Sequence, residues 1–431
     1  MKKPAWLPIV VLPLLLSCCS SGSSPTAPPA PAQADYVVLA WNDLGMHCLN
    51  PSYDKLVVLP PFNTMWAQVI KRGATPQIVT AGITVEYKIE GNTYSYGKRN
   101  YGQFWDNAVK LFGTLFGFTS LAHDVGLTGN GLSGEMASAG DHFVIQGIPL
   151  TPIKDDGTWD PYQVADITVK DAQGTIIATT KTVAPTSEEM RCQKCHGADP
   201  FADIMSKHDA SNGTDLAGTT PRLCADCHGS PALGLMNPGT SGKFLSKAIH
   251  GFHADKGASC YDCHPGPQTQ CSRSARHTAT DGNCVWCHST MAQVASSIPA
   301  TRIPWVNEPK CAMCHDALDV DTGSLLYRNA KGHGQLYCAS CHGSPHAMIP
   351  SLVAKDNYQS LQYQGSTSKV KSIASCGVCH DSSRGGGEIG DFAETHGGAK
   401  PEKMNGCHIC HTSVSTDSAK WPHAYTWKNS N

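Results

Sequence analysis

Between Arg191 and His411 the spacing Cys-x-x-Cys-His occurs eight times. The thiol pairs are Cys192/Cys195, Cys224/Cys227, Cys260/Cys263, Cys284/Cys287, Cys311/Cys314, Cys338/Cys341, Cys376/Cys379 and Cys407/Cys410. The closing histidines are His196, His228, His264, His288, His315, His342, His380 and His411. Two thiols three residues apart can reach both vinyl groups on one edge of a porphyrin and form thioethers. The next residue then aims its imidazole at the iron from the same side, as the proximal ligand. Zinc ribbons instead need two Cys-x-x-Cys pairs folded together and would not place a histidine after every second cysteine. The sequence therefore predicts eight covalently bound c-type haems. No residue is read as catalytic.

The sixth ligand decides what such irons do. Beyond the proximal eight, the same region carries His208, His250, His253, His277, His333, His346, His396, His408 and His423. Eight irons need eight distal ligands, so supply matches demand, with one or two to spare once His47 is added. His47 follows a turn-rich stretch, Trp41-Asn42-Asp43-Leu44-Gly45-Met46, and is expected either in a structural loop or as a ligand donated across the domain boundary. His408 lies inside the last motif and cannot bend back to its own iron, so it would serve a neighbour. No methionine recurs at a fixed offset from the motifs. Bis-histidine ligation gives lower potentials than His/Met and leaves no open position for a small molecule. His123 and His142 are read as ordinary loop histidines.

The polypeptide carries 33 Lys and Arg against 35 Asp and Glu, a formal charge of −2. Each ferric haem with two ionised propionates adds about one negative charge, which takes the holoprotein to roughly −10. A strongly basic surface is missing, and nucleic acid is set aside as a partner.

The elements that must hold these groups follow from composition. Residues 186–431 form the haem domain, its motifs starting 24 to 38 residues apart with glycines and prolines between. It is an irregular repeat of one haem per unit, with too few aliphatics for a conventional core. Short helices and loops wrapped around the rings are expected, with a helix starting at Thr186-Ser187-Glu188-Glu189-Met190. Residues 36–185 carry no motif and show period-2 runs. Ile83, Val85, Tyr87 and Ile89 alternate with polar residues, as do Ile167 and Val169. Asp171-Ala172-Gln173-Gly174 then turns into a strand from Thr175 to Val183, and Phe104–Phe118 has a looser, helical pattern. A mainly-β domain of immunoglobulin-like sandwich type is expected.

Ahead of it, residues 1–18 read as an export signal. Lys2 and Lys3 precede an apolar core from Ala5 to Leu16, too short to span a bilayer comfortably. Leu15-Leu16-Ser17-Cys18 resembles a lipoprotein lipobox, with Cys18 the acylated residue, and multiple acyl chains would give stable anchoring. The Ser/Pro/Ala tract within residues 19–35 reads as a tether. Cys48 and Cys271 remain as possible disulfide partners in an oxidising compartment.

Eight motifs in the C-terminal half, a lipobox cysteine and the Asn-Asp-Leu-Gly-Met-His-Cys stretch together resemble the octahaem members of the outer-surface lipoprotein cytochromes of metal-respiring bacteria. The resemblance implies electron conduction at the outer membrane or cell surface. The implied partners are other cytochromes, outer-membrane electron-transfer proteins, metal oxides or soluble shuttles. The competing class is an octahaem oxidoreductase, resembling those acting on nitrite, hydroxylamine or tetrathionate, with one open iron. No motif replaces its proximal His by Lys, and the distal histidines are ample, both of which favour the conduit.

Overall fold

The computed structural model describes residues 34–73, 75–266, 268–277, 284–314, 322, 324–364, 370, 372–373 and 376–380. The signal segment and Cys18, together with His315, His396, Cys407, His408, Cys410, His411 and His423, lie outside the described residues, as do the side chains of His333 and Cys376.

The N-terminal region is mainly β. In chain order its strands are β1 (Tyr36–Asn42), β2 (His47–Cys48), β3 (Leu56–Val57), β4 (Asn63–Lys71), β5 (Gln77–Ile78) and β6 (Ile83–Ile89). After a helical segment come β7 (Ser133–Glu135), β8 (Ala137–Ser138), β9 (Phe143–Ile148), β10 (Tyr162–Asp171) and β11 (Ile176–Ser187), with β12 (Arg222–Leu223) in the following region. One sheet has the order β1-β4-β9-β8, with β5 also on β4, and the other runs β2-β11-β10-β6-β7. Their inner faces meet in one core that includes Val38, Ala40, Val69, Val85, Ile89, Ile145, Ile167 and Val169. The alternation along β6 and β10 builds this face, because a strand's side chains point to opposite sides in turn. The β10–β11 turn forms as its residues predict. The Asp171 carboxylate accepts from the N–H groups of Gln173 and Thr175, and Gly174 takes the left-handed φ of +81° that the turn needs.

β1 is buried on both faces, which removes any simple alternation from its sequence, YVVLAWN. Val38 and Ala40 face the sheet core, whereas Val37 and Leu39 pack with Ile70 and Val378, and Trp41 packs with Tyr327, Tyr337 and Ala339. Its free edge is closed by side chains of the helix Tyr358–Gln364. The Gln359 amide accepts from Ala40 N–H at 2.7 Å and donates to the Ala40 carbonyl, while the Tyr363 hydroxyl donates to the Val38 carbonyl at 2.7 Å. An edge strand thus loses its unpaired ladder without a further strand.

The helical pattern near Phe104 becomes one run from Gly102 to Phe116 with a π turn over Val109–Gly113, ended by left-handed Gly117. It buries Phe104, Trp105, Leu111 and Phe112 against Leu223 of β12 and against Ala225 and Leu233 just beyond it. The helix expected to begin at Thr186 does not form. β11 continues through Ser187, pairing Thr186 and Ser187 in parallel with His47 and Cys48, and the backbone turns helical only at Gln193–His196. Backbone pairing outweighs the capping-like residues there.

Beyond β11 the described residues form short helices and loops, with the two-residue β12. Their apolar side chains pack on the outside of the β region: Leu223 runs beside Val57, Phe201 and Met205 meet Leu56, and Val378 meets Val37. Among the described residues no helix is long and apolar enough to cross a membrane.

Candidate cofactor site

Each fully described motif folds into a tight turn of one design. The N–H of His196 donates to the Cys192 carbonyl at 2.9 Å, His228 to Cys224 at 3.0 Å and His264 to Cys260 at 2.8 Å. An i to i+4 bond stacks the histidine one turn above the first cysteine. Both sulfurs and the imidazole therefore emerge on one side.

These turns line a single cavity of about 3080 Å³, roughly three times the upper end of ordinary small-molecule sites, about 1,000 Å³. Motif residues from Cys192 through His342 line it, together with His47, His208, His250, His253, His277 and His346. Burial pushes His264 and His288 down to about 4, and lowers His250 and His346. All four are neutral at pH 7 and offer a nitrogen lone pair. Burial also pushes the Cys224 thiol up to about 12 and those of Cys263 and Cys338 to about 11.

Within the cavity, proximal and distal candidates face one another. The ring centres of His196 and His253 are 6.4 Å apart, those of His228 and His208 6.4 Å, those of His264 and His250 6.1 Å, and those of His288 and His346 6.2 Å. Every one of these pairs joins a motif histidine to a histidine outside the motifs. A metal bonded to two opposed imidazoles at about 2 Å each would hold the ring centres a little over about 6 Å apart. The separations match a ligated metal and exceed direct contact.

The other ring nitrogen is already engaged. Nδ1 of His196 bonds the Asp203 carboxylate at 2.7 Å, and Nδ1 of His250, His253 and His346 donates to the carbonyls of Ser246, Ile249 and Leu44 at 2.7, 2.8 and 2.9 Å. Nδ1 of His228 lies 2.8 Å from the Ser241 hydroxyl and 3.2 Å from the Lys243 carbonyl, and Nδ1 of His208 bonds the Thr214 hydroxyl at 2.9 Å. A carbonyl only accepts, so the proton of the neutral ring sits on Nδ1 and Nε2 keeps its lone pair for a metal. His47 is the reverse: its Nε2 bonds the Asp43 carboxylate at 2.8 Å.

Short elements hold side chains that face more than one motif. The helix Pro200–Asn212 starts at Asp199, whose carboxylate accepts from Ala202 N–H, and ends at left-handed Gly213. It anchors Phe201 and Met205 in the core beneath, holds Asp203 against His196, and presents His208 to His228. The helix Leu245–His253 presents His250 to His264 and His253 to His196. Asp262, inside the third motif, takes an ion pair from Lys194 in the first at 2.7 Å, and its backbone carbonyl accepts from Arg191 N–H at 2.9 Å.

The links continue down the chain. His288 lies close enough to His264 and His250 for their charges to oppose its protonation. Burial raises the Cys287 and Cys311 thiols, with Cys314 adding to the first and Cys287 to the second, and Cys311 and Cys338 share one apolar cluster. The carbonyl of Cys341 accepts from Ile373 N–H at 3.1 Å, and Ile373 packs with Val378 and Cys379 of the next motif. His380 bridges to Gly73 at the end of β4. His277 holds its Nδ1 3.2 Å from the Ser274 hydroxyl and lines the cavity, as does His342.

The histidines outside the motifs in the β region are occupied: His142 stacks on Trp66 at 4.3 Å and His123 on Tyr96 at 3.5 Å. Cys48 and Cys271, considered above as disulfide partners, are free, half-buried thiols here, near each other at the cavity edge. The sequence reading missed Asp203 and Leu44 as ligand supports. Asp203 sits seven residues past His196, a signal legible only once the intervening helix is placed.

No protein-family model matches the chain, and no curated protein or solved structure is similar to it.

Proposed function

We propose that the chain is a multihaem c-type cytochrome that conducts electrons through closely spaced, bis-histidine haems. The observation that carries this reading is the set of four proximal–distal pairs at 6.1–6.4 Å, with a carbonyl or carboxylate on the Nδ1 of at least one ring in each. The motif cysteines would attach the haems, the motif histidines would bind from one side, and His253, His208, His250 and His346 would bind from the other. When bound, the haems supply one-electron chemistry. The chain would hold them in a shared cavity, fix ring orientation through Nδ1, and offer a histidine from each side, which would leave a small substrate no place there.

The shared helices also propose an order. The helix Pro200–Asn212 joins the second site to the first, and the helix Leu245–His253 with Asp262 joins the first to the third. The fourth follows through His288, then the fifth, sixth and seventh through the thiol and backbone contacts above. In the same reading the β region is an immunoglobulin-like platform, and the loops beyond it wrap the porphyrins. The lipobox at Cys18 supports anchoring at the outer membrane, with other cytochromes, metal oxides or shuttles as electron partners. Intact-mass spectrometry of the denatured, exported protein tests the cofactor. Eight covalent haem increments are expected, and none would sink the reading.

A further inference from the structure

The loop of the β region from Asn42 to His47 reaches into the cofactor cavity, and it does so through its backbone. Asn42 builds it: its side-chain oxygen accepts from Leu44 N–H at 3.2 Å and Gly45 N–H at 2.6 Å, while its amide nitrogen donates to Thr64 O at 2.7 Å. The Leu44 carbonyl left pointing outward accepts twice from one residue, from His346 N–H at 3.2 Å and from His346 Nδ1 at 2.9 Å.

The loop and the His346 segment are then locked together. The Ser344 hydroxyl donates to the Asn42 carbonyl at 2.6 Å. Arg273, 1 % exposed, donates from its guanidinium to the Gly45 carbonyl and makes a two-point contact with Asp356 at 2.6 and 2.9 Å. Its own N–H donates to the His346 carbonyl at 2.8 Å. Gly45 takes φ +87°, and a Cβ there would lie 3.0 Å from Ser344 Cβ, 3.1 Å from Ala347 N and 3.2 Å from His346 N. Only glycine allows both the turn and the approach.

We propose that this loop is the seat of one distal ligand: Leu44, Gly45 and the Arg273–Asp356 clamp are positioning residues that hold His346 on the iron opposite His288. The β region would then complete a site of the other region without supplying a ligand, and His47, with its Nε2 on Asp43, serves the loop itself. The proposal rests on the haem reading and adds to it a support specific to one iron. Removing supports of this kind typically costs about 10–100-fold in metal affinity.

The test uses the full holoprotein and low-temperature EPR alongside a haem count. His346→Gly should keep its haems and convert one haem's worth of low-spin signal to high-spin, and millimolar imidazole should restore it. Gly45→Ala should perturb that same haem and no other, shifting its low-spin g-values or releasing it partly to high-spin. Arg273→Lys, which keeps charge and length but loses the fork, gives a milder form of the same change if Gly45→Ala does not accumulate. Holoprotein of Gly45→Ala or Arg273→Lys with the unaltered spectrum, or His346→Gly with every haem still low-spin, would overturn the proposal. A purified protein without covalent haem would instead overturn the reading beneath it.

Discussion

His250 and His253 lie three residues apart on one helix, yet their rings face different motif histidines, His264 at 6.1 Å and His196 at 6.4 Å. Residues at this spacing share a helix face with Cβ atoms about 5–6 Å apart. Two cofactors held this way would be neighbours. His253→Ala should open the iron of the first motif and His250→Ala that of the third, each adding one high-spin haem in EPR, and the double variant should add two. A single variant that stays wholly low-spin would break the assigned pairing.

The edge of β1 offers a stability test independent of any cofactor. Gln359 satisfies both the N–H and the carbonyl of Ala40 in a buried setting. Gln359→Leu keeps the bulk and strands both groups, at about 1–3 kcal/mol each. Urea unfolding followed by circular dichroism should show a loss of at least about 2 kcal/mol, and a loss under about 0.5 kcal/mol would mean the edge is closed by other means.

How much of this was legible beforehand depends on whether the signal is local. The eight motifs are contiguous and need no fold to be seen, and β6 and the β10–β11 hairpin declare themselves through alternation and the Asp171–Gly174 turn. β1 hides its strand character because both its faces are covered, one by the opposing sheet and the other by residues some 300 positions later in the sequence. Thr186–Met190 looks like a helix cap but sits where β2 is waiting to pair. The number of distal histidines could be counted, but which histidine faces which motif depends on where the helices Pro200–Asn212 and Leu245–His253 pack. That His47 lines the cavity with its Nε2 on Asp43, four residues earlier, is a contact that no local pattern announces.

Cys48 and Cys271 yield a prediction with a pH sign. Burial pushes the Cys271 thiol up to about 12 and that of Cys48 higher still, each favouring the neutral form over the usual value of about 8.5. The stabilisation from keeping them neutral is complete below that usual value and is lost as pH rises through the folded value. At pH 8 in the folded holoprotein both should resist iodoacetamide at least about tenfold better than after unfolding, since the thiolate is the nucleophile. Peptide mapping after labelling reads this directly. Ready modification in the folded state, or a Cys48–Cys271 linked peptide, would contradict it.

The most direct test of the central claim is low-temperature EPR of the fully oxidised holoprotein, quantified against its haem content. A conduit of bis-histidine haems predicts low-spin ferric signals accounting for all the haem, with no high-spin component. A high-spin signal integrating to one haem or more would mean an iron open to substrate, and the chain would then have to be read as an oxidoreductase.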